Sequence, residues 1–212
     1  MNFFPSMPLA LLLAGATLLP LSSCVAPVYG SGRSAERQGD LVTARERNYQ
    51  GYLQVRGQPD HKDTAYAVYE YARLSGHGGD TRAADEAFRE TFRLIAASGG
   101  SADRLKAPAR SEYARFLKEQ GRYREAAAQF KLADAELQKR QIERIDPVGY
   151  AELLEQYREA LAKTGQASQA AKLGAKAKSL RAGHPARPAH FQPKPYPRTL
   201  QPGHRLFPPL KA

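Results

Sequence analysis

Residues 113–133 read YARFLKEQGRYREAAAQFKLA, and the spacing within this stretch decides the fold class. Before Gly121, the residues Tyr113, Ala114 and Leu117 fall on one helical face. After it, Tyr123, Ala126, Ala127, Phe130, Ala133 and Leu137 recur at i, i+3, i+4 and i+7 and form an apolar stripe. A glycine between two such stripes predicts a helix that ends in the left-handed conformation, a tight turn, and a second helix. Ala126 allows close approach of the two helices, and Phe130 fills the hole beside it.

The same pattern recurs on both sides. Gly79 is followed by Ala84, Phe88 and Thr91 at matching offsets, after a helix carrying Tyr66, Tyr69 and Ala72. Gly165 is followed by Ala170, Gly174 and Ala177, after Leu153, Leu154, Tyr157 and Leu161. These spacings resemble the tetratricopeptide repeat, with structural positions at Gly79, Ala84, Phe88, Gly121, Tyr123, Ala126, Phe130, Ala133, Gly165 and Ala170. The glycines lie 42 and 44 residues apart, against a standard period of about 34, so longer helices or connections are expected. Gly174 stands where the other units have phenylalanine, and the third core should be thinner. Ser98–Ser101 reads as a loop, and Asp146-Pro147 as an N-cap with a first-turn proline. Residues 34–57 read as a single helix capped by Ser34 and stopped by Gly57 and Pro59. No segment alternates strictly, so the expected class is all-α. The expected architecture is a short tetratricopeptide-like solenoid of three helical pairs over 60–181, with the 34–57 helix at one end.

The N-terminus carries a different signal. Residues 1–23 contain no charged side chain, and an apolar run of eleven residues spans Leu9–Leu19. That is too short for a membrane-spanning helix and matches a signal-peptide core. Leu21-Ser22-Ser23-Cys24 follows and resembles the lipobox of bacterial lipoproteins, although the basic residue usual before the apolar run is absent. The resemblance implies cleavage between Ser23 and Cys24 and acylation of the Cys24 thiol and of the new amino terminus. Residues 24–33 then serve as a tether. Val25, by the sorting rule of enterobacterial lipoproteins, implies the outer membrane facing the periplasm; the inner membrane or secretion are the alternatives. Cys24 is the only cysteine, which excludes an intrachain disulfide.

Net charge is +11, and its distribution is uneven. After Glu159 the chain holds ten Lys or Arg and no acidic residue, and eight of its fifteen prolines lie beyond position 181. Proline density of this order excludes helix and central strand. Residues 182–212 are therefore expected to be a disordered, basic tail. Basic residues interleaved with Phe191, Tyr196 and Phe207 also suit nucleic acid, but an exported chain does not meet it, and no nucleic-acid partner is expected.

No Walker loop, zinc-binding histidine pair or nucleophile elbow is present. His77 reads as a solvated turn residue, and Glu112, Glu119 and Glu125 as solvent-facing carboxylates. No enzymatic activity, metal or cofactor is expected. The sequence supports a membrane-anchored scaffold for a protein partner, in envelope, pilus or secretion-system assembly, with Tyr66, Glu70, Arg110 and Arg115 on the first helices as groove residues. The alternative is an envelope tether whose basic tail binds anionic lipid, lipopolysaccharide or cell-wall polymer. Cys24→Ser should abolish both fatty-acid labelling and membrane attachment. A wild-type chain that takes up no labelled fatty acid refutes the anchor.

Overall fold

The structure, a computed structural model, describes residues 32–58, 62–185, 194–208 and 210. Ser23, Cys24, the expected signal segment and most of the expected tether lie outside these residues. Nine α-helices follow one another among the described residues: α1 (Arg33–Arg37), α2 (Leu41–Val55), α3 (Lys62–His77), α4 (Thr81–Ala97), α5 (Lys106–Glu119), α6 (Tyr123–Lys139), α7 (Ile142–Ile145), α8 (Pro147–Lys163) and α9 (Ala167–Ala182). A 3-10 turn, Asp103–Leu105, leads into α5. The described residues contain no strand. The helices pack as adjacent pairs, α1 with α2, α3 with α4, α5 with α6 and α8 with α9. The pairs then stack, α2 on α3, α4 on α5 and α6 on α8, so that α3, α5 and α8 touch in turn as one row.

One turn geometry joins the members of every pair. Gly39, Gly79, Gly121 and Gly165 have φ between +78° and +82°. The N–H after each glycine donates to the carbonyl five residues back: Asp40 to Ala35, Asp80 to Ser75, Arg122 to Leu117, Gln166 to Leu161. This double-bonded helix ending satisfies carbonyls that would otherwise be stranded. Its appearance at Gly39 corrects the single helix expected over 34–57. Gly39 in the left-handed region breaks the chain there, and the Asp40 side chain accepts from Thr43 N–H to cap α2. Asp146 accepts from Gly149 N–H, with Pro147 in the first turn of α8, as its sequence signal indicates.

Phe88 and Phe130 are fully buried at equivalent positions. Each packs on the equivalent tyrosine of the next pair: Phe88 lies 5.1 Å from Tyr113, and Phe130 lies 5.9 Å from Tyr157, between ring centroids. Gly174 occupies this position in α9, after which no further helical pair follows among the described residues. The stem of Arg158 lies over it, 2.8 Å from where a Cβ would sit. Only Ala170 and Ala177 of α9 are buried.

The C-terminal segment departs from expectation. Residues 194–208 form neither helix nor strand, as proline density requires, but they are not a free tail. They cross α5, pass over the α3–α4 turn and reach α2. Tyr196 and Phe207 are 2% and 4% exposed. Arg115 donates to Lys194 O at 2.6 Å, Gln120 to Tyr196 O, Arg198 to Glu119 O, and Gln201 N–H to Gly78 O at 2.8 Å. Phe207 packs tilted on Tyr49 and edge-on to Tyr71, with the guanidinium of Arg45 over its ring. These donors and aromatic pockets on the helices substitute for secondary structure, so the strap's backbone carbonyls find partners without a ladder.

Glycine makes this close approach feasible. A Cβ on Gly76 would sit 2.7 Å from the Tyr196 ring, and one on Gly79 would sit 1.8 Å from the Thr199 carbonyl oxygen. Gly165 has the same positive φ and open space around it. Gly165→Ala should therefore cost only the left-handed strain, about 1–2 kcal/mol. Gly79→Ala should cost roughly 1–3 kcal/mol more through the clash with the strap. Equal losses in chemical denaturation would mean that the strap does not dock on this turn.

Candidate functional site

Between α5 and α8 lies an open cleft of about 310 Å³. α5 supplies Ser111, Glu112 and Arg115 to one wall; the i, i+1 and i+4 spacing puts them on one side of the helix. α8 supplies Tyr150 and Leu153 to the other, and Tyr69 of α3 lines it as well. The surface is chiefly apolar, with a buried ion pair set into it. Arg115 donates to both oxygens of Glu112, at 2.8 and 2.9 Å, and the two side chains are 4% and 7% exposed. On the far side of this pair, the Tyr196 hydroxyl donates to the same Glu112 carboxylate. Glu112 thus stands between the strap and the cleft. Burial, together with the charge of Glu112, raises the Tyr69 and Tyr196 phenols well above the ordinary value. Both remain protonated, and Tyr196 is the donor to Glu112.

A second network adjoins it. Arg73 holds Glu36 through two 2.6 Å bonds and Glu70 through a third, joining α1 to α3. The Arg73 hydrogen bond lowers the pKa of Glu36. His77 ends α3 and corrects the expectation of a solvated turn residue. Its ring stacks on Tyr196 at 4.2 Å with 6° between planes, and it is 5% exposed. Its Nδ1 lies 2.9 Å from Pro195 O. A carbonyl only accepts, so Nδ1 carries the proton and the neutral ring donates. Burial holds the His77 pKa down to about 4. Glu112 and Glu119 were likewise expected to face solvent. Glu112 is buried, and Glu119 accepts the Tyr196 N–H.

Of the four groove residues read from sequence, the structure brings Arg115 to the cleft. Glu70 lies in the neighbouring network. Tyr66 packs against the main core. Arg110 turns toward α4 and α6, over the Phe92 ring at 4.9 Å and bonded to Gln129. Tyr69, Tyr150, Leu153 and Tyr196 were not singled out as groove residues; the extra glycines at 76 and 78 were the available signal that another segment approaches the turn. No three His, Cys, Asp or Glu side chains converge as metal ligands among the described residues, and no helix there is long and apolar enough to cross a membrane. No family model and no curated protein matches the chain.

The buried neutral histidine has a consequence for acid stability. The unfolded chain binds a proton at its ordinary pKa of 6.5, whereas the folded chain resists protonation to about 4. Stability is therefore unaffected by this group above pH 6.5 and falls as pH drops from there to about 4, by roughly 3 kcal/mol. His204, also lowered by burial, acts in the same direction. Glu36, held below its ordinary value, adds a further loss at lower pH as it protonates. His77→Phe keeps an aromatic ring against Tyr196 and should flatten denaturation midpoints between pH 6.5 and 4. An unchanged slope in that variant would assign the acid sensitivity elsewhere.

Proposed function

We propose that this protein is a non-catalytic scaffold: a tetratricopeptide-like helical stack, held at the outer membrane through lipid on Cys24, that binds a protein partner in the α5–α8 cleft. The repeat reading is supported by the four identical glycine turns and by the recurrence of Phe88–Tyr113 as Phe130–Tyr157. The observation that carries the binding reading is the cleft itself. It is an apolar depression at the centre of the helical row, backed by a buried pair whose charges are already matched. Such a surface gains from covering its apolar walls and loses little by desolvation of its charges.

The tether reading, with helices as a spacer for a free basic tail, draws less support. The strap's two aromatic anchors and its main chain are committed to α2, α3 and α5. A photo-crosslinking residue at Leu153, in the cleft, tests the scaffold directly. In membranes carrying the full chain it should yield a discrete protein adduct, and the same residue at exposed Lys131 should not. Absence of an adduct at Leu153, or equal adducts at both positions, refutes the cleft as the partner site.

A further inference from the structure

Large apolar side chains at the surface are few among the described residues, and three lie on α2 and the strap that crosses it. Val42, Leu200 and Leu206 are 41%, 40% and 64% exposed. Val42 belongs to the first turn of α2 and borders the strap, its Cγ2 3.4 Å from where a Cβ on Gly203 would be. Leu206 follows Arg205, whose guanidinium grips Glu46 one helical turn beyond Val42 at 2.9 Å. Leu200 precedes Gln201, which is pinned to Gly78 O. The strap therefore holds Leu200 exposed at the α3–α4 turn and Leu206 exposed beside α2, on either side of the Val42–Gly203 contact.

The strap itself is basic, with Lys194 paired to Glu36 at 3.6 Å and Arg205 to Glu46 at 2.9 Å. Residues 194–208 contain Lys194, Arg198 and Arg205 and no acidic residue. Arg198 is exposed and donates to a backbone carbonyl, Glu119 O, at 2.9 Å. The carboxylates on the adjoining α2 are Asp40 and Glu46. Glu46 is paired with Arg205, and Asp40 caps its own helix with Arg47 nearby. Apolar side chains on a segment that carries the exposed guanidinium groups of Arg198 and Arg205 match an anionic bilayer surface, where leucines enter the acyl boundary and guanidinium groups meet phosphates.

The position relative to the anchor agrees. Gly32 packs on α2, so close to Ala44 and Asn48 that a Cβ there would overlap them. Gly32 is eight positions from Cys24, a reach of at most about 29 Å. A lipid on Cys24 would hold the body by its α2 end.

We propose that the face formed by α2 and the strap, with Val42, Leu200 and Leu206 at its centre, is a membrane-contact surface for anionic phospholipid. It orients the helical stack on the bilayer. This rests on the anchored-scaffold reading for its biological setting but is read out separately from it. Exposure alone does not select the site: Leu132 and Ile145 are 44% and 59% exposed elsewhere and serve as controls.

The chain contains no tryptophan, so a single introduced indole is an unambiguous reporter. Leu200→Trp, Leu206→Trp, Leu132→Trp and Ile145→Trp are placed one at a time in the full chain, which is mixed with excess vesicles of phosphatidylethanolamine and phosphatidylglycerol with brominated acyl chains. Emission at positions 200 and 206 should shift to the blue and be quenched, and emission at 132 and 145 should not. Omitting phosphatidylglycerol should reduce the quenching. In a Cys24→Ser background, Leu200→Glu with Leu206→Glu should weaken vesicle partitioning by roughly tenfold or more. Both leucines are exposed, so the double variant should melt as its parent does. Equal quenching at all four positions, none at 206, or partitioning unchanged by the double variant overturns the proposal. A missing crosslink at Leu153 would leave it standing, because that readout reports protein partners and this one reports lipid.

Discussion

Arg45 carries a charge into a site where its side chain is 1% exposed, and a buried guanidinium is tolerable only when its donors are matched. The matching comes from four directions. Asp80, at the start of α4, accepts at 2.6 Å; Ser75 of α3 accepts at 3.1 Å; the carbonyl of Arg205 accepts from the strap; and the Phe207 ring lies 4.4 Å from the guanidinium carbon. Asp80 simultaneously caps α4 by accepting from Ala83 N–H. One side chain of α2 thus fixes the position of α3, the start of α4 and the C-terminal segment. Neutralising any partner would leave charge in a low-dielectric site, which makes the α1–α4 half and the strap a single unit.

The other half is held differently. Between α5 and α9, pairing rests on the repeated aromatic contact and on the turns at Gly121 and Gly165, with ion pairs such as Lys118–Glu159 and Arg181–Glu152 at the surface. Exposed pairs of this kind contribute little. The last pair has a small core of its own around Tyr150 and Leu154. The cleft falls at the α5–α8 junction, where only α6 of the preceding pair and a few residues of α5 reach α8.

Much of the helical stack was legible because its signals are local. A glycine at the required turn position and small or aromatic residues at fixed helical offsets are readable in one window, as around Gly121, and Asp146-Pro147 states a helix start outright. The break at Gly39 was missed because Ala44, Asn48 and Tyr52 keep the helical phase immediately beyond it, and Ser34 offered an earlier cap. The strap was misread for a different reason. Proline and basic residues correctly exclude regular structure, but they say nothing about docking, which depends on pockets made by residues far away in the chain. His77, Glu112 and Arg115 looked like surface groups since their partner, Tyr196, lies about eighty or more residues further on. Their burial is a property of the pair and is invisible in either sequence window alone.

The bond between Arg45 and Arg205 spans 160 residues. A stack of hairpins assembles by contacts between neighbours, so each pair can form as soon as it is synthesised. The strap breaks that rule at one end. The pocket for Phe207 and the donors of Arg45 are made by α2 and α3, among the earliest elements to emerge, yet the residues that fill them come last. During translation the N-terminal half must wait with a buried cation incompletely matched and its aromatic pocket open. That interval makes it the segment most in need of protection from aggregation. Arrival of the C-terminus converts a chain that folds piecewise into one that is closed on itself, and the first helices made become the last to be secured.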